Sequence, residues 1–129
     1  MLDRTSFLRP VAHRGLHDAS RGVIENTVGA FEAAIAKGYG IECDLRPAAG
    51  GLPVVFHDET LERLTEASGA LSALGPAELA RVRFKGGATT GIQTFGEFLA
   101  HVGGRVPLLV EVKSEWEPVD AVFVGEIDR

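Results

Sequence analysis

Charged side chains alternate with uncharged residues inside two segments that otherwise have the character of buried strands. Glu42 and Asp44 flank Cys43 in the first segment, and Glu111 and Lys113 flank a valine in the second. An unpaired charge in a protein core is strongly unfavourable, so charges at such positions indicate a site rather than packing. Residues two apart on a strand share a face, and each pair is therefore expected to project to one side of its strand.

Two histidines each follow a short apolar run and open a polar loop. His13 ends the run Val11-Ala12, and His57 follows residues 54–56. The ends of strands are where α/β folds place their active sites. Two imidazoles on either side of a substrate can act as general base and general acid, because imidazole titrates near neutral pH. A lone histidine at a strand end is more often a structural hydrogen-bonding group, but two at equivalent places favour a catalytic pair.

Apolar periodicity and breaker residues predict an α/β fold with strands alternating with helices. Alternation of this kind is typical of βαβ units and a parallel sheet, within one domain over residues 1–129. Asn26 is expected to cap the first helix. Strands are predicted over 8–13, 39–46, 52–56 and 107–112, and helices over 27–37, from Pro76, from the capping-box sequence at Thr94 to about 102, and from Pro118.

The overall composition excludes several classes of protein. The net charge is −5, and no basic stripe is visible, which argues against a general nucleic-acid binder. The single cysteine, Cys43, rules out a disulfide within the chain and is consistent with a reducing compartment. Neither a signal-peptide run nor the ~20 apolar residues of a membrane span is present. These features predict a soluble, cytoplasmic protein without a transmembrane segment.

The acidic pair suggests a metal site. Two carboxylates on one face repel each other unless a positive group lies between them, and all-oxygen ligands suit Mg²⁺ or Ca²⁺. The alternative is that Glu42 and Asp44 pair with neighbouring lysines and arginines. Glu111 on a later strand offers a third oxygen ligand, and this favours the metal. Lys113 either holds an anionic oxygen of a substrate or forms a salt bridge with Glu111 or Asp44.

Arg14 adds a planar fork that could bind two oxygens of a phosphoryl group. The alternative is a surface arginine, or one that pairs with Glu25. Together, the two histidines, the two cations and the three carboxylates fit metal-assisted cleavage of a phosphate ester. The sequence has no P-loop and no GxGxxG turn, so nucleotide chemistry has little support.

At these residues the chain closely resembles the glycerophosphodiester phosphodiesterase family, over residues 10–114. Two local departures are Ile24, where the family usually has proline, and Leu64, where it usually has threonine. The matching segments are His13-Arg14-Gly15, Glu25-Asn26-Thr27, Ala30-Phe31, Glu42-Cys43-Asp44, the segment from His57-Asp58-Glu59-Thr60 to Thr65, and Glu111-Val112-Lys113.

The resemblance implies a TIM (β/α)8 barrel, which has eight strands and typically ~250 residues. Only about the first four strands are expected in this chain, which would leave sheet edges exposed to self-association. The implied activity is hydrolysis of glycerophosphodiesters, as small-molecule substrates, to sn-glycerol 3-phosphate and an alcohol through a cyclic phosphate. The implied roles are acid–base catalysis by His13 and His57, phosphate binding by Arg14 and Lys113, and binding of Mg²⁺ or Ca²⁺ by Glu42, Asp44 and Glu111.

Two other functions stay open at this point. One is a phosphatidylinositol-type phospholipase, a related barrel enzyme that also uses paired histidines. The other is a truncated, non-catalytic remnant that binds phosphate. The Glu-x-Asp pattern followed by Glu-x-Lys favours the glycerophosphodiester group over the phospholipases.

Overall fold

The computed structural model describes residues 10–86 and 90–113. Most of the predicted elements in these ranges are confirmed to within about three residues at each end; residues 8–9 of the first predicted strand and the helix expected from Pro118 lie outside them. None of the helices described is long and apolar enough to cross a membrane. The strands are β1 (Val11–His13), β2 (Gly40–Pro47), β3 (Pro53–Val55) and β4 (Leu108–Val112), and the helices are α1 (Val28–Ala36), α2 (Pro76–Leu79) and α3 (Phe95–Val102).

The sheet is built around β2. One edge of β2 pairs in parallel with β4. The other edge pairs in parallel with β1 at the start of β2 and in antiparallel with β3 at the end of β2. The prediction of a wholly parallel sheet is wrong for β3, which is antiparallel. Only residues 48–52 separate β2 from β3, and a parallel pairing needs a crossover of a dozen residues or more.

The main core lies between one face of the sheet and helices α1 and α3. The rings of Phe31 on α1 and Phe98 on α3 meet edge to face, with centroids 4.7 Å apart. From the sheet, β2 directs Ile41, Cys43 and Leu45 into this core. Because side chains alternate along a strand, the charged residues of β2 fall on the opposite face.

A second core supports the segment between β3 and α3. Its members come from β3, α2 and the loops around them, and they include the fully buried residues Val54, Phe56, Leu61, Leu71 and Leu79. Phe56 and Leu61 anchor the polar loop that begins at His57 in this second core.

Candidate active site

Three carboxylates converge on the charged face of the sheet, as the sequence predicted. Asp44 on β2 lies opposite Glu111 on β4, and Glu42 lies two residues earlier on β2. Residues opposite each other on paired strands share a face, as do residues two apart on one strand. One oxygen from each of the three side chains lies within 4.8 Å of the others. This spacing suits shared coordination of one ion.

Glu42 is a buried acid in an unfavourable electrostatic position. Its Oε1 accepts the backbone N–H of Arg14 at 3.1 Å and lies 3.8 Å from Nε2 of His13. Burial and the negative charge of Asp44 raise the pKa of Glu42, and the Arg14 N–H and His13 offset this only in part. The site is therefore short of positive charge at Glu42.

Asp44 is completely buried, and only one of its two carboxylate oxygens has polar partners in the part of the chain that the structure describes. Its Oδ2 accepts the amide of Asn26 at 3.1 Å and lies 3.3 Å from Nε of Arg14. Its Oδ1 has no hydrogen-bond partner within the described ranges 10–86 and 90–113. A buried carboxylate oxygen without a donor is unfavourable, and a cation would satisfy it. The three-carboxylate set therefore fits a divalent ion that prefers oxygen ligands.

The two histidines lie near this cluster, His13 at the end of β1 and His57 just after β3. His13 ends β1, opposite Glu42 in register, and its side chain is largely exposed. His57 reaches the site because β3 runs back along β2, so that the N–H of Phe56 donates to the carbonyl of Asp44 at 3.0 Å. The antiparallel direction of β3 thus brings the backbone just before His57 beside Asp44.

A contact and a charge effect define the position of His57. Its Nδ1 lies 2.7 Å from Oδ1 of Asp58. The pKa of Glu111 is lowered chiefly by Lys113, and His57 adds a smaller electrostatic effect in the same direction. His57 is therefore near the Glu111 side of the cluster, whereas His13 lies beside Glu42.

The two candidate phosphate-binding cations already contact acids of the site. Nη1 of Arg14 donates to Oε2 of Glu25 at 3.1 Å, which is the pairing considered as the alternative from the sequence. Nζ of Lys113 donates to Oε1 of Glu111 at 2.9 Å. Both cations remain partly exposed at the rim of the site. Their role in phosphate binding stays a prediction.

Asn26 has a different role from the one expected. The helix cap is Thr27, in extended conformation, rather than Asn26. Asn26 has a φ of 55°, and its side chain bonds to Asp44. Asparagine adopts the left-handed region more readily than most residues, and this explains its presence at the bend before α1. The prediction of an N-cap placed the helix start one residue too early.

Arg46 is a polar residue of the site that the sequence interpretation missed. It continues the alternation of Glu42 and Asp44 on β2, and that continuation was the available signal. Its Nε donates to the backbone carbonyl of His57, and its Nη1 lies 3.6 Å from Oε1 of Glu59. Arg46 thus fastens the loop that carries His57 to the central strand.

Comparison with known proteins decides the family. The model of the glycerophosphoryl diester phosphodiesterase family matches residues 13–129. The chain belongs to this family. A curated member from Caldanaerobacter subterraneus subsp. tengcongensis, named glycerophosphodiester phosphodiesterase, is 39% identical over 103 residues. That match covers 79% of this chain and 37% of the relative.

Solved structures of family members have the same local architecture. A glycerophosphodiester phosphodiesterase from Agrobacterium tumefaciens is 31% identical, with a TM-score of 0.69 over 93% of this chain and 53% of that one. A phosphodiesterase from Oleispira antarctica, solved with the product sn-glycerol-3-phosphate, is 27% identical. Its TM-score is 0.71 over 84% of this chain and 47% of that one. The chain therefore spans about half the length of these relatives.

Proposed function

We propose that the protein is a metal-dependent phosphodiesterase that hydrolyses glycerophosphodiesters to sn-glycerol 3-phosphate and an alcohol. The observation that carries the proposal is that three carboxylates converge on one face of the sheet, with His13 beside Glu42 and His57 near enough to Glu111 to affect its charge. Membership of the family supports it, as does the related phosphodiesterase solved with sn-glycerol-3-phosphate. The cytoplasmic location expected from the sequence stays a prediction.

The carboxylates of Glu42, Asp44 and Glu111 would hold Mg²⁺ or Ca²⁺. Such a cation supplies positive charge that polarises a phosphoryl oxygen and offsets the negative charge of the site. Arg14 would bind the phosphate as a planar fork, and Lys113 would bind it as a point charge. Both residues lie beside the acids, so a bound phosphate would compete with Glu25 and Glu111 for them.

His13 and His57 would carry the protons. One imidazole takes the proton of the attacking glycerol hydroxyl, whose oxygen bonds to phosphorus, while the other gives a proton to the departing alkoxide. The resulting cyclic phosphate is then opened by water with the two roles reversed. The contact between Nδ1 of His57 and Asp58 supports Nε2 as the atom that faces the substrate.

The sheet fits the opening part of a TIM barrel. In this proposal β1, β2 and β4 are successive parallel strands of the barrel, and the antiparallel β3 is an addition beside them. The exposed side chains of Leu109 and Val112 on β4 are consistent with faces of this strand that the rest of a whole barrel would cover. Self-association through exposed sheet edges stays a prediction.

Substrate selection tests the proposed function. The purified protein with Mg²⁺ or Ca²⁺ should release sn-glycerol 3-phosphate from glycerophosphocholine, and His13→Ala and His57→Ala should each slow release by about 10²–10⁴-fold. Hydrolysis of phosphatidylinositol vesicles without hydrolysis of glycerophosphocholine would indicate the phospholipase alternative. No hydrolysis of either substrate, with retained binding of inorganic phosphate, would indicate a binding remnant.

A further inference from the structure

A continuous chain of hydrogen bonds and ion pairs runs from His57 into the protein. Arg63 binds the carboxylate of Asp58 through Nε at 2.7 Å and through Nη2 at 3.0 Å. It also binds Glu25 through Nη1 at 3.1 Å and through Nη2 at 3.0 Å. One guanidinium therefore makes a two-pronged contact with each of two carboxylates, the strongest geometry available to an arginine.

The charge state of Asp58 fixes where the proton of His57 resides. Arg63 is the main cause, and His57 a further one, of an Asp58 pKa lowered to about 2, despite the opposing effect of burial. Asp58 is therefore ionised at neutral pH and can only accept hydrogen bonds. The short contact at 2.7 Å then requires that Nδ1 of His57 carries a proton. In the neutral imidazole, the lone pair is left on Nε2.

Glu25 is the buried end of this chain. Burial on its own would raise the pKa of Glu25, but Arg63 and Arg14 outweigh it, so that the pKa is lowered and the carboxylate stays charged. The side chain of Arg63 is 48% exposed, whereas that of Glu25 is 8% exposed. A long, half-exposed arginine loses rotamer freedom when it is held in one geometry, and a fixed partner favours that geometry. Glu25 is that partner.

We propose that Arg63 and Glu25 are positioning residues for His57: they hold Asp58 in place and thereby lock the imidazole in one tautomer and one orientation. The catalytic consequence rests on the proposed phosphodiesterase function, whereas the tautomer itself does not. A histidine locked in this way presents Nε2 to the substrate without a search among ring orientations. Neither Arg63 nor Glu25 touches the reacting atoms.

Nitrogen NMR of the imidazole tests the lock without any substrate. In the neutral form of its imidazole, His57 should show a protonated Nδ1 and an unprotonated Nε2. The variant Arg63→Ala should show a mixture of tautomers, and Arg63→Lys an intermediate state. The exposed Arg81, which has no part in this chain of contacts, provides the matched control Arg81→Ala. An unchanged, single tautomer in folded Arg63→Ala would overturn the proposal.

Kinetics provide the second readout. Arg63→Ala and Glu25→Gln should lower kcat by about ten- to hundredfold, as loss of an outer partner of a functional histidine typically does. Because Arg63 is half exposed, added guanidinium should restore kcat to Arg63→Ala, whereas sodium at equal ionic strength should not. A rise in KM without a fall in kcat, or restoration by both salts, would contradict a positioning role.

The two readouts separate the two proposals. If wild-type protein hydrolyses no glycerophosphodiester, the proposed function fails, and the tautomer measurement still decides the positioning proposal. If Arg63→Ala does not fold, Glu25→Gln provides the same tautomer test, because glutamine keeps the size of the glutamate and removes only its charge. A single, unchanged Nδ1–H tautomer in each variant that folds would overturn the proposal.

Discussion

Asn26 and Asp44 bind each other through both polar atoms of the asparagine amide. Nδ2 of Asn26 donates to Oδ2 of Asp44 at 3.1 Å, and Oδ1 of Asn26 accepts the backbone N–H of Asp44 at 3.4 Å. The pairing requires the left-handed conformation of Asn26, with a φ of 55°. The asparagine thus sets the orientation of a buried acid whose Oδ1 has no hydrogen-bond partner among the described residues.

Replacement of Asn26 by alanine should cost about 3 kcal/mol of unfolding free energy. The variant leaves a buried acid without two hydrogen bonds and keeps a strained backbone. Asn26→Gly also loses the two hydrogen bonds but relieves the backbone strain, so it should be more stable than Asn26→Ala by about 1 kcal/mol. Urea unfolding measures both. An Asn26→Ala protein as stable as wild type would contradict this role.

The loop after His13 should tolerate no side chain at Gly15. Gly15 has a φ of 79°, and a Cβ added there would lie 2.7 Å from Cβ of Ala30 on α1. We expect Gly15→Ala to destabilise the protein by about 1–3 kcal/mol. The control is Gly29→Ala on α1, where a Cβ meets nothing within 4 Å and should stabilise the helix by about 0.5–1 kcal/mol. Thermal unfolding of the two variants distinguishes a clash from a general effect of alanine. Equal shifts of the unfolding temperature in both would contradict the close approach of Gly15 to Ala30.

The contribution of Asp58 to the stability of the fold should decrease as the pH falls. Its pKa is lowered from 3.8 to about 2 in the folded protein. A lowered carboxyl pKa stabilises the fold above the unfolded value, and that stabilisation is lost as the pH falls through the folded value. Wild type should therefore exceed Asp58→Asn in unfolding free energy above pH 4, and the difference should narrow toward pH 2. A difference that stays constant across this range would contradict the pairing with Arg63.

Much of the architecture could be predicted because local rules determine it. The capping box at Thr94 forms as expected and starts α3. Alternation on β2 placed Glu42 and Asp44 on one face, and the same rule on β4 placed Glu111 among them. These features depend on neighbours close in sequence or on the fixed period of a strand.

What could not be predicted depends on contacts distant in sequence. The direction of β3 is a local exception, because the short connection over residues 48–52 requires an antiparallel pairing and the predicted strand bounds already implied it. Glu25 and Arg63 are separated by 38 positions, and no periodicity relates them. The bond from Asn26 to Asp44 likewise joins a bend to a strand across 18 positions. Such pairs become visible only when the loops are placed on the sheet.

Glu42→Gln should separate stability from metal binding. Because burial and Asp44 raise the pKa of Glu42, its charged form destabilises the fold as the pH rises above the unfolded value, and glutamine should remove that cost near neutral pH. Mg²⁺ or Ca²⁺ at about 100 times its Kd should stabilise wild type by about 2.7 kcal/mol, but should leave Glu42→Gln nearly unchanged. Thermal unfolding with and without the cation measures this; an equal response in both proteins would remove Glu42 from the ligand set.

The most direct measurement is the release of sn-glycerol 3-phosphate from glycerophosphocholine by chelator-treated protein during titration with Mg²⁺ or Ca²⁺. We expect no release before cation is added, a saturable rise afterwards, and little response from Glu111→Gln. His57→Ala should stay about 10²–10⁴-fold slower at saturation, which is the usual contribution of a general acid or base. Equal release in excess chelator, or full activity of His57→Ala, would contradict a metal-dependent site served by two histidines.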